Sequence, residues 1–315
     1  MERSNQLTRL SLFLMASIFI LSIFAVVQNA FGAASTTVSV DTSVVVDNAT
    51  PTVSSVVLNE SVSPIILTPN ATTAVTVSFR IQDANGCEDV IVNGNTTSSA
   101  FRSGVTSACS ASNLNCYISS TTTSNCAGNA STTDATTTFF IYYFADSTDG
   151  ASSSFDAQDW VGYAAVRDAS GASSTATSTH RELGVLTAIN VTTSSINYGT
   201  ISAGDNTGAT NQNATSTNAG NSSTTLRLHA ISTLNDGGSN SIATSSQVYS
   251  TSSFTYPGTS TALTDSAVTV GGFFLTSPTS TTNVAQTTFW GLAVPPGTAT
   301  GTYTGTTRFT SLWQQ

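Results

Sequence analysis

The chain has 315 residues, room for about two domains of ordinary size. Only 8% of its residues are charged, against roughly 25% in an average soluble protein, none is lysine, and the formal net charge is −9. This balance excludes a nucleic-acid binder, which needs clustered Arg or Lys to neutralise phosphates, and it disfavours docking on anionic lipid heads. It also rules out Lys–Asn isopeptide crosslinks and lysine-linked covalent polymers, so any assembly is non-covalent or uses another linkage. Polarity comes from Ser, Thr, Asn and Gly, and abundant Thr and Val suit a pleated surface better than a helix.

Residues 1–33 read as a targeting segment. Arg3 and Arg9 precede an uncharged apolar run from Leu10 to Val27, and small residues follow at Ala30, Gly32, Ala33 and Ala34. The pattern reads as a cleaved signal peptide, and the length of the run leaves a retained N-terminal membrane anchor as the alternative. Without this leader the count is 16 acidic against 6 basic residues, a net charge of −10. Either way the remainder is expected to be secreted or held at the cell surface, touching a membrane only through an uncleaved leader.

Residues 34–47 form a linker or a leading strand, since VSVDTSVVVDN alternates but lacks aromatic anchors. A first domain is expected over 48–183. TAVTVSFRIQD puts Val75, Val77, Phe79 and Ile81 on one face, and Asp83-Ala84-Asn85-Gly86 supplies turn chemistry. Residues 92–135 read as long loops held by disulfides. TTTFFIYYFAD then carries apolar residues on both parities, Phe139, Ile141 and Tyr143 against Phe140, Tyr142 and Phe144, and predicts a strand covered on both sides. In the next run Trp160 and Val166 face one way, Val161 and Tyr163 the other, and Asp168 to Gly171 forms a hairpin turn.

Export into an oxidising compartment predicts that Cys87, Cys109, Cys116 and Cys126 form two disulfides. No C-x-x-C pair argues for zinc instead. Of the three pairings available, a small Cys109–Cys116 loop inside a Cys87–Cys126 loop is preferred. Each bridge of this size adds about 3 kcal/mol by restricting the unfolded chain.

A second domain is expected over 184–315. LTAINVTTSSINYGTISAG holds two short alternating runs with Ile196, Tyr198 and Ile201 inward. A turn at Asn218 to Asn221 leads into Leu226 and Leu228. Near the end, Trp290, Leu292 and Val294 alternate, Pro295-Pro296-Gly297 interrupts, and Tyr303, Phe309 and Trp313 share one parity beyond. This predicts a closing strand pair with the tryptophans buried.

Two resemblances accompany these patterns. The segment Val46-Asp47-Asn48-Ala49-Thr50-Pro51-Thr52-Val53 resembles the leading sequence of immunoglobulin-like modules in prokaryotic surface proteins. INYGTISAG followed by TNAGN is similar to the opening of the sandwich modules named after ASPM, SPD-2 and hydin, over about thirty residues. Both imply a fold and no activity. The expected architecture is all-β: two tandem antiparallel β-sandwich (immunoglobulin-like) domains after an N-terminal hydrophobic signal helix.

The chemistry-bearing residues are sparse. His180 and His229 are the two imidazoles, both expected at the surface, and the nucleophile-elbow, zinc-protease, P-loop and dinucleotide motifs are absent. No catalytic residue is nominated and no enzyme activity is expected. Asp146, Asp149, Asp156 and Asp159 share one loop between two strands, where hard oxygen donors suit calcium, the one cofactor the sequence suggests. Asp83, Glu88 and Asp89 form a second acidic group that echoes part of a calcium loop without its twelve-residue ligand set. For both groups, Asx-turns that cap hairpins are the simpler account. Eight N-x-S/T sites, at Asn48, Asn59, Asn70, Asn95, Asn129, Asn190, Asn213 and Asn221, are near the number chance gives in so Ser/Thr-rich a chain.

The expected function is that of a non-catalytic secreted or cell-surface structural or adhesive protein, associating with itself, with another surface component or with a glycan. The alternative is an extracellular carbohydrate- or ligand-binding module with a calcium site.

Overall fold

The computed structural model describes residues 38–105, 109–120, 122–127, 130–150 and 153–314. The expected leader, 1–33, lies outside the described residues. The chain divides into two units, 1–47 and 48–315. The described part of the first, 38–47, enters no strand or helix. Among the described residues the second unit holds seventeen strands and, besides single 3-10 turns, one short helix.

The first eight strands are β1 (Thr52–Leu58), β2 (Thr72–Gln82), β3 (Asn95–Arg102), β4 (Cys116–Ser119), β5 (Thr123–Ser124), β6 (Thr132–Tyr142), β7 (Trp160–Arg167) and β8 (Ser173–Thr177). They form two four-stranded sheets, ordered β1-β2-β6-β5 and β4-β3-β7-β8. Alternation in β2 decides which face is buried: Val75, Val77 and Ile81 are fully buried and Phe79 nearly so. Between them Arg80 points to solvent and pairs with Asp134 across to β6 at 2.8 Å. The inner faces of the two sheets meet in one apolar cluster that joins Val75, Val77, Ile81 and Ile141 to Ala100, Trp160, Ala164 and Val166. That is a sandwich core. Trp160 is fully buried and its indole N–H donates to the Asp146 carbonyl at 2.9 Å, so burial leaves no orphan donor. The opposite face of β7 is apolar too: Val161 packs with Phe101 and Cys116 in a satellite cluster.

The β6 strand departs from expectation. Phe139 and Ile141 are buried as read, but Phe140 is 62% exposed. Only one face of β6 is covered along its length; Phe144, which is buried, lies beyond the strand's end. A second difference is helix α1 (Cys87–Ile91) directly after the Asp83–Gly86 turn. Gly86, at φ +108°, makes the reversal that starts it.

The remaining strands are β9 (Ile189–Val191), β10 (Gln212–Asn218), β11 (Thr224–Asn235), β12 (Ser241–Ile242), β13 (Gln247–Ser250), β14 (Thr261–Ala262), β15 (Val268–Thr269), β16 (Ala285–Leu292) and β17 (Thr304–Trp313). One sheet runs β14-β13-β16-β10-β9; the other runs β12-β11-β15, with β17 also on β11. No sheet mixes strands from before and after residue 183. Ala214, Tyr249 and Trp290 from the first of these sheets meet Leu226, Leu228 and Ala230 from the second, with Phe309 of β17 against them. The Trp290 ring lies 5.5 Å from Tyr249 and 5.9 Å from Phe309.

The expected closing pair is therefore not a hairpin. β16 sits between β10 and β13, whereas β17 pairs with β11 in the facing sheet. The Pro-Pro-Gly segment carries the chain from one layer to the other, and the two strands meet through side chains across the core. Trp290 is fully buried, but Trp313 and Tyr303 are only partly covered. Residues 195–200 form no strand either; Ile196 and Tyr198 reach the second core from irregular backbone.

The turn between β10 and β11 fastens this half to the preceding one. The Asn221 side-chain amide donates to the carbonyls of Ala145 (3.1 Å) and Gly184 (3.0 Å) and accepts from the Leu186 N–H at 2.6 Å. Gly220 is required there, because a Cβ would fall 2.1 Å from the Leu186 carbonyl oxygen.

Candidate functional site

The 146–159 loop distributes its four acids among separate tasks. Asp146 is half-buried and its Oδ2 accepts from Arg102 Nε at 3.0 Å. Arg102 also donates to the Gln158 side chain, and its guanidinium lies 3.7 Å from the Phe155 ring centroid. Burial pushes the Asp146 carboxyl up, and the Arg102 charge offsets part of that shift. Asp159 contacts His180 Nδ1 at 2.8 Å. Burial pushes the Glu182 carboxyl up, and the nearby carboxylates of Asp159 and Asp149 push it further. Asp149 and Asp156 are exposed. So Asp149 and Asp159 converge on Glu182, while Asp146 is committed to Arg102. Neither Arg102 nor Glu182 was identifiable from the loop sequence, because both come from distant strands or linkers.

A tighter acidic group lies elsewhere. Asp83 after β2, Asp89 in α1 and Asp168 in the β7–β8 turn each place a carboxylate oxygen within 4.8 Å of the other two. Local turn chemistry fixes two of the three. Asp83 Oδ1 accepts from the Asn85 N–H at 2.8 Å, and Asp168 Oδ1 accepts from the Ser170 hydroxyl and the Ala172 N–H, both at 2.8 Å. Asp168 Oδ2 accepts from Asn48 Nδ2 at 2.9 Å. The Asp83 contact is the Asx-turn expected from the sequence, and Asp168 adds its own turn bonds while its carboxylate stays close to the other two. Asp83 and Asp168 are 1% and 3% exposed, and Asp89 is half-buried. Hydrogen bonds, the one from Asn48 foremost, hold the Asp168 carboxyl below the usual range. Asp83 Oδ2 is buried with no hydrogen-bond donor. Of the ion pairs among the described residues, none includes a member of this group.

The cysteines pair as Cys87–Cys126 and Cys109–Cys116, with Cα separations of 5.8 and 6.3 Å. Cys87 opens α1, so the first bridge anchors the element that carries Asp89. Bonded cysteines are the chemistry of an oxidising compartment. Among the described residues no helix is long and apolar enough to cross a membrane.

No protein-family model matches the sequence, and no curated protein does. Among solved structures, dimeric latent PorU from Porphyromonas gingivalis is similar over 85% of this chain and 21% of its own, at 14% identity and a TM-score of 0.25. Escherichia coli alpha-2-macroglobulin activated by porcine elastase matches over 84% and 22%, at 12% identity and 0.23. The secreted serine protease VesC from Vibrio cholerae matches over 79% and 49%, at 9% identity and 0.19. The chain thus spans from about a fifth to a half of the length of these proteins, and at such TM-scores they carry no argument about what it does.

Proposed function

We propose that this is a non-catalytic, secreted or surface-displayed structural protein that associates with itself by strand addition. The observation that carries this reading is the segment 38–46. Val38, Val40, Val44 and Val46 share one parity and are 75–84% exposed, Val45 on the other parity is 88% exposed, and none of them belongs to a strand. Apolar alternation of this kind is the pattern of a half-buried strand, and burying it requires a sheet edge. An edge is on offer at β17, ten residues long and paired among the described strands with β11 alone. The uncharged Ser/Thr surface, the disulfides and the resemblance to prokaryotic surface modules support the extracellular setting.

Negative-stain microscopy of the purified protein tests the reading. Filaments or a regular lattice are expected, and deletion of residues 38–46 is expected to leave isolated particles. Single particles at every concentration, together with glycan binding that is lost on chelation, would favour the ligand-binding alternative instead.

A further inference from the structure

We propose that Asp83, Asp89 and Asp168 form a calcium site that ties the β2–α1 turn to the β7–β8 hairpin. The argument starts from an imbalance. Three carboxylates share a small, largely buried space, and no cationic side chain among the described residues pairs with them. Like charges in such a setting are unfavourable unless a cation or a proton joins them. Asp83 adds an independent sign. It is 1% exposed, yet its Oδ2 has no donor, although buried carboxylate oxygens are almost always satisfied.

The chemistry selects the ion. All the donors are hard oxygens with no His or Cys beside them, which disfavours zinc and copper. The three oxygens lie within 4.8 Å of one another, and a site held mainly by protein carboxylates suits calcium, with flexible geometry and bonds of about 2.3–2.6 Å, better than magnesium, which keeps most of its waters. Half-buried Asp89 leaves a side from which the ion and its waters enter. The hydrogen bond from Asn48 to Asp168 brings the start of the second unit to the same place. Calcium there would fasten together three segments that no β-ladder joins.

The test is isothermal calorimetry and thermal melting of the intact protein after chelation, with calcium chloride as the probe. Calcium is expected to bind with measurable heat and to raise the melting midpoint by about 5 °C or more at about 10 mM. Asp83→Asn removes one charge but keeps the shape. It is expected to melt at or above the calcium-free wild type and to lose the calcium response. Should that variant fail to fold, Asp89→Asn at the half-buried position carries the same expectation. Asp156→Asn, outside the group, should respond like the wild type. Neither heat nor a shift in the wild type would overturn the proposal, as would a full calcium response in Asp83→Asn and Asp89→Asn. A melt indifferent to calcium but raised on mild acidification would assign the group to a shared proton and overturn it equally.

Discussion

At the scale of single residues, buried polar groups do the positioning. Tyr117 shows how. Its hydroxyl donates to the Asn113 carbonyl at 2.6 Å and accepts from the Tyr142 N–H at 3.0 Å, while its ring lies 6.0 Å from that of Trp160. Burial raises its phenol well above the ordinary value of 10.0, and burial does the same to Tyr198, which bonds Gln247. The sign of the consequence follows from linkage. Below pH 10 both states keep these protons and stability is unaffected; above it the unfolded chain releases protons that the folded one retains, so stability falls as pH rises further. With no lysine in the chain, tyrosine dominates titration in that range. Burial also raises the phenols of Tyr143, Tyr249 and Tyr256. Phenolate absorbance is therefore expected to be incomplete until circular dichroism reports unfolding, Tyr117 and Tyr198 ionising only then. Full ionisation of every tyrosine in a still-folded protein would contradict this. The same scale shows what one sequence can disclose. Asp83 and Asp168 are legible as turn residues from their Gly and Asn neighbours. Their meeting is not legible, because nothing local says which two turns share an end of a sandwich.

At the scale of elements, period-two alternation marks the buried face of the long strands, overcalls short segments such as 38–47 and 195–200, and says little about partners. Val75 to Ile81, Trp160 to Val166 and Leu226 to Leu228 all bury the parity that the pattern selects. The pairing of β16 with β10 and β13, and of β17 with β11, was hidden, because both strands have the alternation of a hairpin and the long Pro-Pro-Gly crossing resembles a loose turn. Phe140 was misread for a related reason: a continuous aromatic run does not reveal that only one face of β6 has a neighbouring layer. Helix α1 was missed because five residues are too short to show a helical period. The β17 strand is the element whose loss should matter most in its half. It runs along β11 from Thr224↔Trp313 to Asn235↔Thr304 and brings Phe309 onto Trp290. Truncation before Thr300 is expected to abolish the cooperative unfolding of the second sandwich and leave the first with its own transition. A calorimetric trace unchanged by the truncation would contradict that role.

At the scale of the whole molecule, two apolar cores, each closed between two antiparallel sheets, account for order in a chain with very little charge and much Ser and Thr. The segment before them carries exposed valines and enters no strand. The most direct test is amide hydrogen exchange, comparing dilute protein with its assembled form. The account predicts that β2, β6, β7, β10, β11 and β16 are protected in both, and that residues 38–46 exchange freely in the dilute protein and become protected on assembly. Protection of 38–46 already in the monomer, or free exchange there within an assembly, would contradict it.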